Sequence, residues 1–451
     1  MRCQRLVFLA VMLVSPVARA QGHQHGGAPP EVSKAGEMAT MEMPMKGPLG
    51  IPAARDGSGT AWLPDDTPMY GMHLTRRGWE VMLHGSAFAQ FLYEPVDRHR
   101  TGGFSRRQVA SVNWGMVIAR RPLGAGRVGL RAMGSIEPWT VTHCGFLNLL
   151  ATGEMCEGDT IHDRQHPHDL FIELAADYDR PLRKSLRWQI YAGLSGEPAL
   201  GPAGFPHRVS AMPNPVAPIS HHWLDSSHIT FGLITTGLYD RRWKVEMSLF
   251  NGREPDENRA DFDLAALDSV SGRLSFMPTN RVALQVSAAH LHEAEAEFAP
   301  QPRSDVNRAT ASATYHRSLR NDGIWATTLA YGVNSGREVI PGGAFDAVTH
   351  AVLLESTLTL RERHTWFGRA EVVGKPAHDL HAHEFTTSVF TVGKLQVGYV
   401  RHVKPWKGLV PGIGGTVSAS VVPTELAPRY DGRIAPGLGV FLTLRPSRHA
   451  K

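Results

Sequence analysis

The chain has 451 residues, with 47 Lys and Arg against 42 Asp and Glu, which gives a formal net charge of +5. Because Arg2, Arg5 and Arg19 lie in a predicted signal peptide, the mature balance falls to 44 against 42. This near-neutral balance excludes a strongly cationic protein that binds nucleic acid. The chain has only 3 cysteines, which excludes a disulfide scaffold and a multi-cysteine zinc protein. Soluble β proteins and membrane barrels both remain.

The first twenty residues have the pattern of a secretory signal peptide. Arg2 and Arg5 precede an apolar stretch over residues 6–14, and small residues at 18 and 20 flank a cleavage site. The apolar stretch is shorter than the roughly 20 residues that a membrane-spanning helix needs, and no later stretch is long enough. We therefore predict that residues 1–20 are removed and that the mature protein leaves the cytoplasm.

Residues 21–76 are rich in Gly, Pro, Met and His and have no sustained hydrophobic period. This composition predicts a disordered periplasmic tail. Because such a tail has no core for methionine to fill, its thioethers and imidazoles are candidate metal ligands, and thioether selects Cu(I). The candidates are His23, His25, Met38, Met41, Met43 and Met45. Copper is the leading ion, and the alternative is an accident of composition. No cofactor is required for folding.

From residue 77 to residue 446 apolar and polar residues alternate, as in Val245, Met247 and Leu249 against Lys244 and Glu246. This period of two predicts strands, about sixteen of them within a range of about 14 to 18. The gaps between them alternate between short and long, which is typical of an outer-membrane barrel with periplasmic turns and extracellular loops. We predict an all-β fold, a transmembrane antiparallel β-barrel in the outer membrane of a Gram-negative bacterium, with a short C-terminal tail over 447–451. The alternative is a soluble periplasmic β protein.

The polar faces of these strands would line the interior of a closed barrel, while the apolar faces contact lipid. The charged residues predicted to line the lumen are Arg127, Arg131, Glu246, Glu355, Arg369 and Glu371. The proline-rich connection over 198–226 is too long and too apolar to remain in solvent. We predict that it folds into the lumen and narrows it, the alternative being a lid over the opening.

Histidines are frequent in the connections predicted to be extracellular, several of them as His-x-His pairs that place two imidazoles on one side of an extended chain. The candidate metal ligands there are His162, His166, His168, His221, His222, His228, His378, His381 and His383. Imidazole binds copper, zinc and nickel. The sequence therefore predicts a metal-binding mouth, and the alternative is solvated polar decoration of the loops.

Two further groups of residues have testable chemistry. Cys144 and Cys156 lie in one predicted extracellular loop in an oxidising compartment, which predicts a disulfide bond. Asp225, Ser226, Ser227 and His228 have the residue types of a hydrolase, but adjacency in sequence is not the geometry of a catalytic triad. We therefore expect no enzyme, and an outer-membrane lipid hydrolase is a minor alternative.

Three segments, residues 163–169 (DRQHPHD), 221–232 (HHWLDSSHITFG) and 250–256 (FNGREPD), carry a family resemblance. They resemble uncharacterised proteobacterial outer-membrane β-barrel proteins associated with heavy-metal and copper resistance. The resemblance covers roughly residues 60–446 and implies a barrel with no established activity. The tail is similar in kind to that of copper-resistance outer-membrane barrels of the B type.

Two functional classes follow from these predictions. The first is an outer-membrane channel or transporter for ions or small solutes, linked to copper or heavy-metal handling. The alternative is an envelope barrel that sequesters copper and conducts nothing. The expected partners are outer-membrane lipid and metal ions or small solutes, with no nucleic acid, and the sequence leaves the oligomeric state open.

Overall fold

A computed structural model describes residues 47–96, 105–157, 159–165, 167–295, 303–340 and 343–448. Within these ranges the strands are β1 (Met72–Arg76), β2 (Trp79–Tyr93), β3 (Arg107–Leu123), β4 (Gly126–Gly134), β5 (Phe146–Cys156), β6 (Asp159–Gln165), β7 (Phe171–Pro181), β8 (Arg187–Gly196), β9 (Thr230–Tyr239), β10 (Trp243–Phe250), β11 (Ser269–Thr279), β12 (Val282–Glu295), β13 (Ser304–Leu319), β14 (Gly323–Ile340), β15 (Gly343–Leu360), β16 (His364–Pro376), β17 (Val389–His402), β18 (Leu409–Val421) and β19 (Ile434–Pro446).

The helices of the described residues are all short. The α-helical turns are α1 (Glu137–Thr140) and α2 (His221–Leu224), and the 3-10 turns are Pro48–Gly50, Ala53–Arg55, Phe205–His207, Ser226–His228, His378–Leu380, His383–Phe385 and Thr424–Leu426. In the described part of the chain, no helix has the length and apolar character needed to cross a membrane.

The strands close into a barrel. The main sheet holds 17 strands, of which β1 is a short extra strand on the first residues of β2, so the ring itself has sixteen. Every neighbouring pair is antiparallel, and β19 pairs with β2, with Leu438 opposite Tyr93 and Leu444 opposite Ala87. This pairing satisfies the backbone of the first and last strands and leaves no free edge in the ring. The predicted antiparallel barrel and its strand count are confirmed. Strands β5 and β6 form a separate hairpin between β4 and β7.

Side-chain exposure on the two faces of the strands is the reverse of that in a soluble protein, because the apolar face is exposed and the polar face is buried. In β10, Val245, Met247 and Leu249 are 50–65 % exposed, whereas Lys244 and Glu246 are 2–3 % exposed. Apolar side chains facing outward around a closed ring form the band that contacts lipid. The interior is correspondingly polar. These features exclude the soluble alternative and place the barrel in the outer membrane of a Gram-negative bacterium.

The connections differ in length at the two ends of the barrel. One end has short turns, such as residues 124–125, 240–242 and 280–281, and the other has connections such as 197–229 and 251–268. In outer-membrane barrels the short turns are periplasmic and the long loops extracellular. We use these names for the two ends below.

The prediction of a disordered tail over 21–76 is wrong for the part that the structure describes. Residues 47–70, which we call the periplasmic plug, lie inside the barrel at its short-turn end. The Asp66 amide donates to the Asn280 carbonyl at 3.2 Å in one of those turns. The plug is held through polar atoms and has little hydrophobic periodicity, so the pattern that predicts secondary structure was absent. The signal peptide and residues 21–46 lie outside the described residues.

Candidate functional site

The periplasmic plug is fixed by charged side chains, beginning with Arg55. This residue is 2 % exposed and forms an ion pair with Asp65 at 2.6 Å. Its Nη1 also donates to the Arg241 carbonyl of a periplasmic turn at 2.6 Å. Four strands away around the ring, Arg120 of β3 pairs with Asp56 at 2.7 Å. The plug therefore bridges two sides of the barrel.

Strand cations also bind the backbone of the plug. Arg131 donates to the Gly59 carbonyl at 2.6 Å, and Lys244 donates to the Thr60 carbonyl. Arg273 donates to the Thr60 hydroxyl at 2.8 Å. The donors are charged and the plug acceptors are neutral, so these hydrogen bonds are charge-assisted and stronger than bonds between neutral groups. They also give the plug acceptors partners in a lumen that holds little water. The plug needs few charged residues because the barrel wall supplies them.

The connection between β8 and β9, residues 197–229, crosses the interior, and we call it the inserted loop. Arg208 at its centre is fully buried and donates through Nε to Glu355 at 2.7 Å and through Nη1 to Asp225. Glu355 also accepts from Arg369 at 3.3 Å, and Arg369 donates to the Val216 carbonyl at 2.6 Å. Burial alone would raise the pKa of Asp225, but the neighbouring guanidinium outweighs it and holds that pKa well below its usual range. The network is therefore ionised and mutually compensated.

Polar contacts extend along the rest of the inserted loop. Ser220 donates from its amide and its hydroxyl to Glu371 at 3.0 and 2.7 Å. The Trp223 indole donates to Thr349 at 2.8 Å. The hydroxyl oxygens of Ser210 and Thr328 lie 2.7 Å apart. The loop thus lies in the lumen, as the sequence predicted, and is not a lid above the opening.

The six predicted lumen residues lie in two sets. Toward the periplasmic plug, Arg127 pairs with Asp179 at 3.2 Å and Glu246 accepts from Arg273 at 3.2 Å. Arg131 contacts the plug directly, and the other three residues contact the inserted loop, as described above. The sequence placed Lys244 on the polar face of its strand, but the partners Arg273 and Arg208 were missed. Arg273 could have been found, because it occupies an inward position of a strand whose residues alternate, whereas Arg208 lies in a loop with no period.

The plug and the inserted loop meet in the middle of the barrel. The Gly204 amide donates to the Ser58 hydroxyl at 2.7 Å. Gly59 has a φ of +50°, and a Cβ at this position would lie 2.7 Å from the Glu197 Cβ. Only glycine combines this backbone conformation with so close an approach. The plug and the inserted loop are therefore in direct contact inside the barrel.

Three of the predicted mouth histidines form a buried group within the barrel. His168 Nδ1 lies 2.9 Å from Glu137, His221 Nδ1 lies 2.9 Å from Asp225 Oδ1, and His228 Nδ1 lies 2.8 Å from the Asp225 carbonyl. Holding one ring nitrogen in this way is what the second shell of a metal site does. The other ring nitrogens do not converge as ligands. In the described residues, none of the clusters with metal-ligand distances is made of these three histidines.

The reason is the phenyl ring of Phe205. Its centroid lies 5.6–5.7 Å from those of His168, His221 and His228, so the imidazoles pack around an aromatic ring. Burial lowers the pKa of His221 and His228, which are therefore neutral. Burial also acts to lower the pKa of His168, but the charge of Glu137 outweighs it and raises that pKa. These three side chains are packed in the interior, so the alternative of solvated polar decoration does not describe them.

A second histidine group surrounds a cavity of about 50 Å³ at the extracellular end, which we call the extracellular vestibule. Its wall includes Thr152, His162, His222, Glu254, Glu295, Glu338, His378 and Asp379. His222 Nδ1 lies 3.1 Å from Glu254 Oε1. One ligand atom from each of His222, Glu254 and Glu295 lies within 4.8 Å of the other two. The two glutamates were not predicted, because isolated carboxylates in loops and strand ends have no sequence signature.

Of the remaining predicted ligands, His162 and His378 also line this cavity. His378 Nε2 lies 3.5 Å from Glu338 and 3.4 Å from Asp379. The ring centroids of His162 and His381 are 4.3 Å apart, and His383 follows at 5.8 Å from His381. Burial lowers the pKa of His162 well below its ordinary value. The structure thus divides the predicted mouth into the Phe205 group and the vestibule.

Some predicted residues lie outside the described ranges. They are His23, His25, Met38, Met41, Met43, Met45 and His166. The disulfide between Cys144 and Cys156 is confirmed. It joins the chain just before β5 to the last residue of β5, with the Cα atoms of the two cysteines 5.4 Å apart.

The hydrolase-like residues form no nucleophile–base pair in the described part of the chain. The Ser227 hydroxyl is buried with no hydrogen-bond partner, and His228 Nδ1 faces the Asp225 carbonyl. Asp225 is itself bound by Arg208. A serine nucleophile needs a base in contact with its hydroxyl. This geometry gives no sign of catalysis.

No protein-family model matches the chain, and no curated protein matches it in sequence. Among solved structures, the outer-membrane channel DcaP of Acinetobacter baumannii is similar over 83% of this chain and 99% of that chain, with 9% identity and a TM-score of 0.47. Salmonella typhi OmpF in complex with daunomycin is similar over 83% and 100%, with 10% identity and a TM-score of 0.49. An anion-selective porin from Comamonas acidovorans is similar over 82% and 99%, with 11% identity and a TM-score of 0.45. The barrel fold is established by the strand pairing of this chain itself.

Proposed function

We propose that the protein is an outer-membrane channel for ions or small solutes whose lumen is closed, in the state described here, by the inserted loop and the periplasmic plug. The observation that carries this proposal is the position of the inserted loop inside a complete ring of sixteen strands. A barrel of this size leaves an aqueous channel when nothing fills it. Neither obstruction contributes a strand to the ring.

The inserted loop contacts the wall in two ways. Hydrogen bonds and ion pairs join it to polar wall side chains such as Glu355 and Glu371, and apolar loop residues such as Trp223 pack in a cluster with wall residues such as Val373. Water can replace the polar partners when the loop leaves, and the apolar contacts would have to separate. The exposed inward charges would then line a wet lumen suited to small polar solutes.

The link to metal handling is part of this proposal. Imidazole and carboxylate groups together suit divalent ions such as Cu(II), Zn(II) and Ni(II). The vestibule offers both groups around one cavity, at the end where a solute enters from outside. Capture of Cu(I) by the methionines of the tail stays a prediction from the sequence.

One observation favours the alternative, a metal-binding barrel that conducts nothing. Arg208 and Glu355 are 0–1 % exposed at the centre of the lumen, so the interior is dry there. If the inserted loop never leaves, the protein can hold ions at its mouth and pass none.

Conductance separates the two functions. Residues 200–218 would be deleted from the full chain, and single-channel currents would be recorded in planar bilayers beside those of the parent. The proposal predicts a stepwise rise in conductance in the variant, whose barrel fold is checked by its heat-modifiable migration. A folded variant that conducts no more than the parent would favour the non-conducting barrel.

A further inference from the structure

We propose that His222, Glu254 and Glu295 form a binding site for a divalent first-row transition metal in the extracellular vestibule, and that the bound ion ties the inserted loop to the barrel wall. The geometric basis is the mutual distance of their ligand atoms, which lie within 4.8 Å of one another. The assignment of these ligands stands on its own, and only the consequence for solute passage rests on the proposed function.

The three ligands come from three separate elements. His222 lies on α2 of the inserted loop, Glu254 follows β10, and Glu295 ends β12. The backbone of His222 is fixed as well, since its carbonyl accepts from Asn334 of β14 at 3.0 Å. An ion bound to all three would therefore cross-link the obstruction to two positions on the wall. Metal binding would stabilise the closed arrangement.

One ring nitrogen of His222 has no hydrogen-bond partner among the described residues. The residue is 5 % exposed, and its Nε2 is buried without a hydrogen-bond partner among the described residues, while Nδ1 faces Glu254. A buried polar atom of this kind is uncommon in folded proteins and calls for a partner such as an ion or a water molecule. A cation in the cavity supplies one.

The carboxylates point to a cation for a separate reason. Glu254 and Glu295 each place a carboxylate oxygen within 4.8 Å of a His222 nitrogen and of each other, and Glu338 and Asp379 line the same cavity. The nearby Arg308 donates to Asn334 and Ser226, which are neutral. Two ionised carboxylates facing one cavity are stable together when a positive ion lies between them. The negative charges of the two carboxylates would therefore balance the charge of a divalent ion.

The chemistry of the ligands selects the class of ion. One imidazole nitrogen with carboxylate oxygens suits Zn(II), Cu(II), Ni(II) or Co(II), whereas Cu(I) prefers sulfur and Ca²⁺ and Mg²⁺ prefer oxygen alone. Three protein ligands leave at least one position for water, which allows exchange. The cavity of about 50 Å³ exceeds the roughly 15 Å³ that one water needs, so an ion with a water fits.

The test is metal binding to the full-length protein in detergent, with His23→Ala and His25→Ala introduced in every sample so that tail imidazoles do not contribute. Co(II) is titrated by its absorbance and then displaced by Zn(II). We expect His222→Gln and Glu295→Gln to weaken binding by roughly tenfold or more. His290→Gln changes a half-exposed histidine on the same strand as Glu295 and should bind like the parent.

Each outcome decides the proposal. Unchanged Co(II) spectra and affinities in His222→Gln and Glu295→Gln would overturn it, as would loss of all binding in the tail-substituted parent. If His222→Gln disturbs the fold, Glu254→Gln takes its place, and the heat-modifiable migration of each variant reports the barrel. The binding assay involves no current, so an absent conductance would refute the channel while leaving the site intact.

Discussion

The two halves of the barrel interior are filled in chemically different ways. At the periplasmic end, guanidinium and ammonium groups bind the plug, as Arg55 binds Asp65 and Arg131 binds the Gly59 carbonyl. At the extracellular end, histidines and facing carboxylates dominate, as in the vestibule around His222 and Glu295. The charge of arginine is constant at physiological pH, whereas that of histidine changes with pH and with metal.

This difference suggests a division of roles. The periplasmic plug is held by interactions that conditions outside the cell change little. The inserted loop has a constant anchor at Arg208 and a condition-dependent contact at the vestibule. We therefore expect signals that open the lumen to act from the extracellular half.

The largest effect is expected from Arg208→Ala, which removes the constant anchor of the inserted loop. Asp225 and Glu355 would then be buried without their main counter-charge, a change that typically costs about 3–5 kcal/mol. The rate of proteolysis within residues 197–229 and the midpoint of urea unfolding measure it. Arg253→Ala is the control, because that arginine forms partly exposed ion pairs at the same end and should cost about 0–1 kcal/mol. Equal protease resistance in both variants would contradict the role of Arg208.

Reduction of the Cys144–Cys156 bond should have the next largest effect. The bond closes a loop with a sequence separation of 12, and the chain-entropy estimate for such a loop is about 3 kcal/mol. Hydrogen exchange of the β5–β6 hairpin should rise in the reducing sample, while that of the barrel strands stays the same. A Cys144→Ser and Cys156→Ser variant that is insensitive to reductant serves as the control. Free-thiol labelling of both cysteines in unreduced, denatured protein would refute the bond.

Gly59→Ala tests the contact between the plug and the inserted loop. The added methyl would clash with Glu197 at a positive φ, which should cost about 1–3 kcal/mol. The plug should then become accessible to protease from the periplasmic side. Gly78→Ala is a matched control, since that glycine also has a positive φ but no atom within 4 Å of the added Cβ. If both variants behave alike, the effect comes from backbone strain and not from the contact.

A further prediction concerns pH at the extracellular hairpin. Burial raises the pKa of Asp163 from 3.8 to about 7, against the opposing effects of Lys375 and of the Tyr430 hydroxyl, which donates to it at 3.1 Å. The docked hairpin therefore binds more protons than the released one, and its docking should weaken as the pH rises from about 4 to 7. Hydrogen exchange of the β5–β6 hairpin across this range measures the change. Asp163→Asn should remove the dependence, and a variant that keeps it would show that another group titrates.

The barrel could be predicted from the sequence because the patterns that specify it occur among neighbouring residues. The alternation of Val245 and Met247 with Lys244 and Glu246 indicates a strand with lipid on one face and a polar interior on the other. The alternation of short and long connections distinguishes the two ends of the barrel. The disulfide could be predicted because the compartment is oxidising and only two cysteines remain after the predicted signal peptide is removed. The insertion of residues 198–226 could be predicted because the segment is too apolar to remain exposed to solvent.

The rest depends on contacts between distant positions. The plug was missed because its order comes from partners such as Arg131 and Lys244, more than 70 residues further along the chain. The mouth histidines were predicted as one group, yet Phe205 gathers three of them into a packed core. Glu254 and Glu295 have no motif, and only the folded barrel brings them to His222.

The most direct test of the closed lumen is a reversible lock on the inserted loop. Ser210 and Thr328, whose hydroxyl oxygens are 2.7 Å apart, would both be changed to cysteine, and single-channel currents would be recorded before and after reduction. The parent, treated identically, controls for the native Cys144–Cys156 bond. Our account predicts that the oxidised variant shows no openings and that reduction restores those of the parent. Equal conductance in the oxidised and reduced variant, with the engineered bond verified, would show that the inserted loop does not gate the barrel.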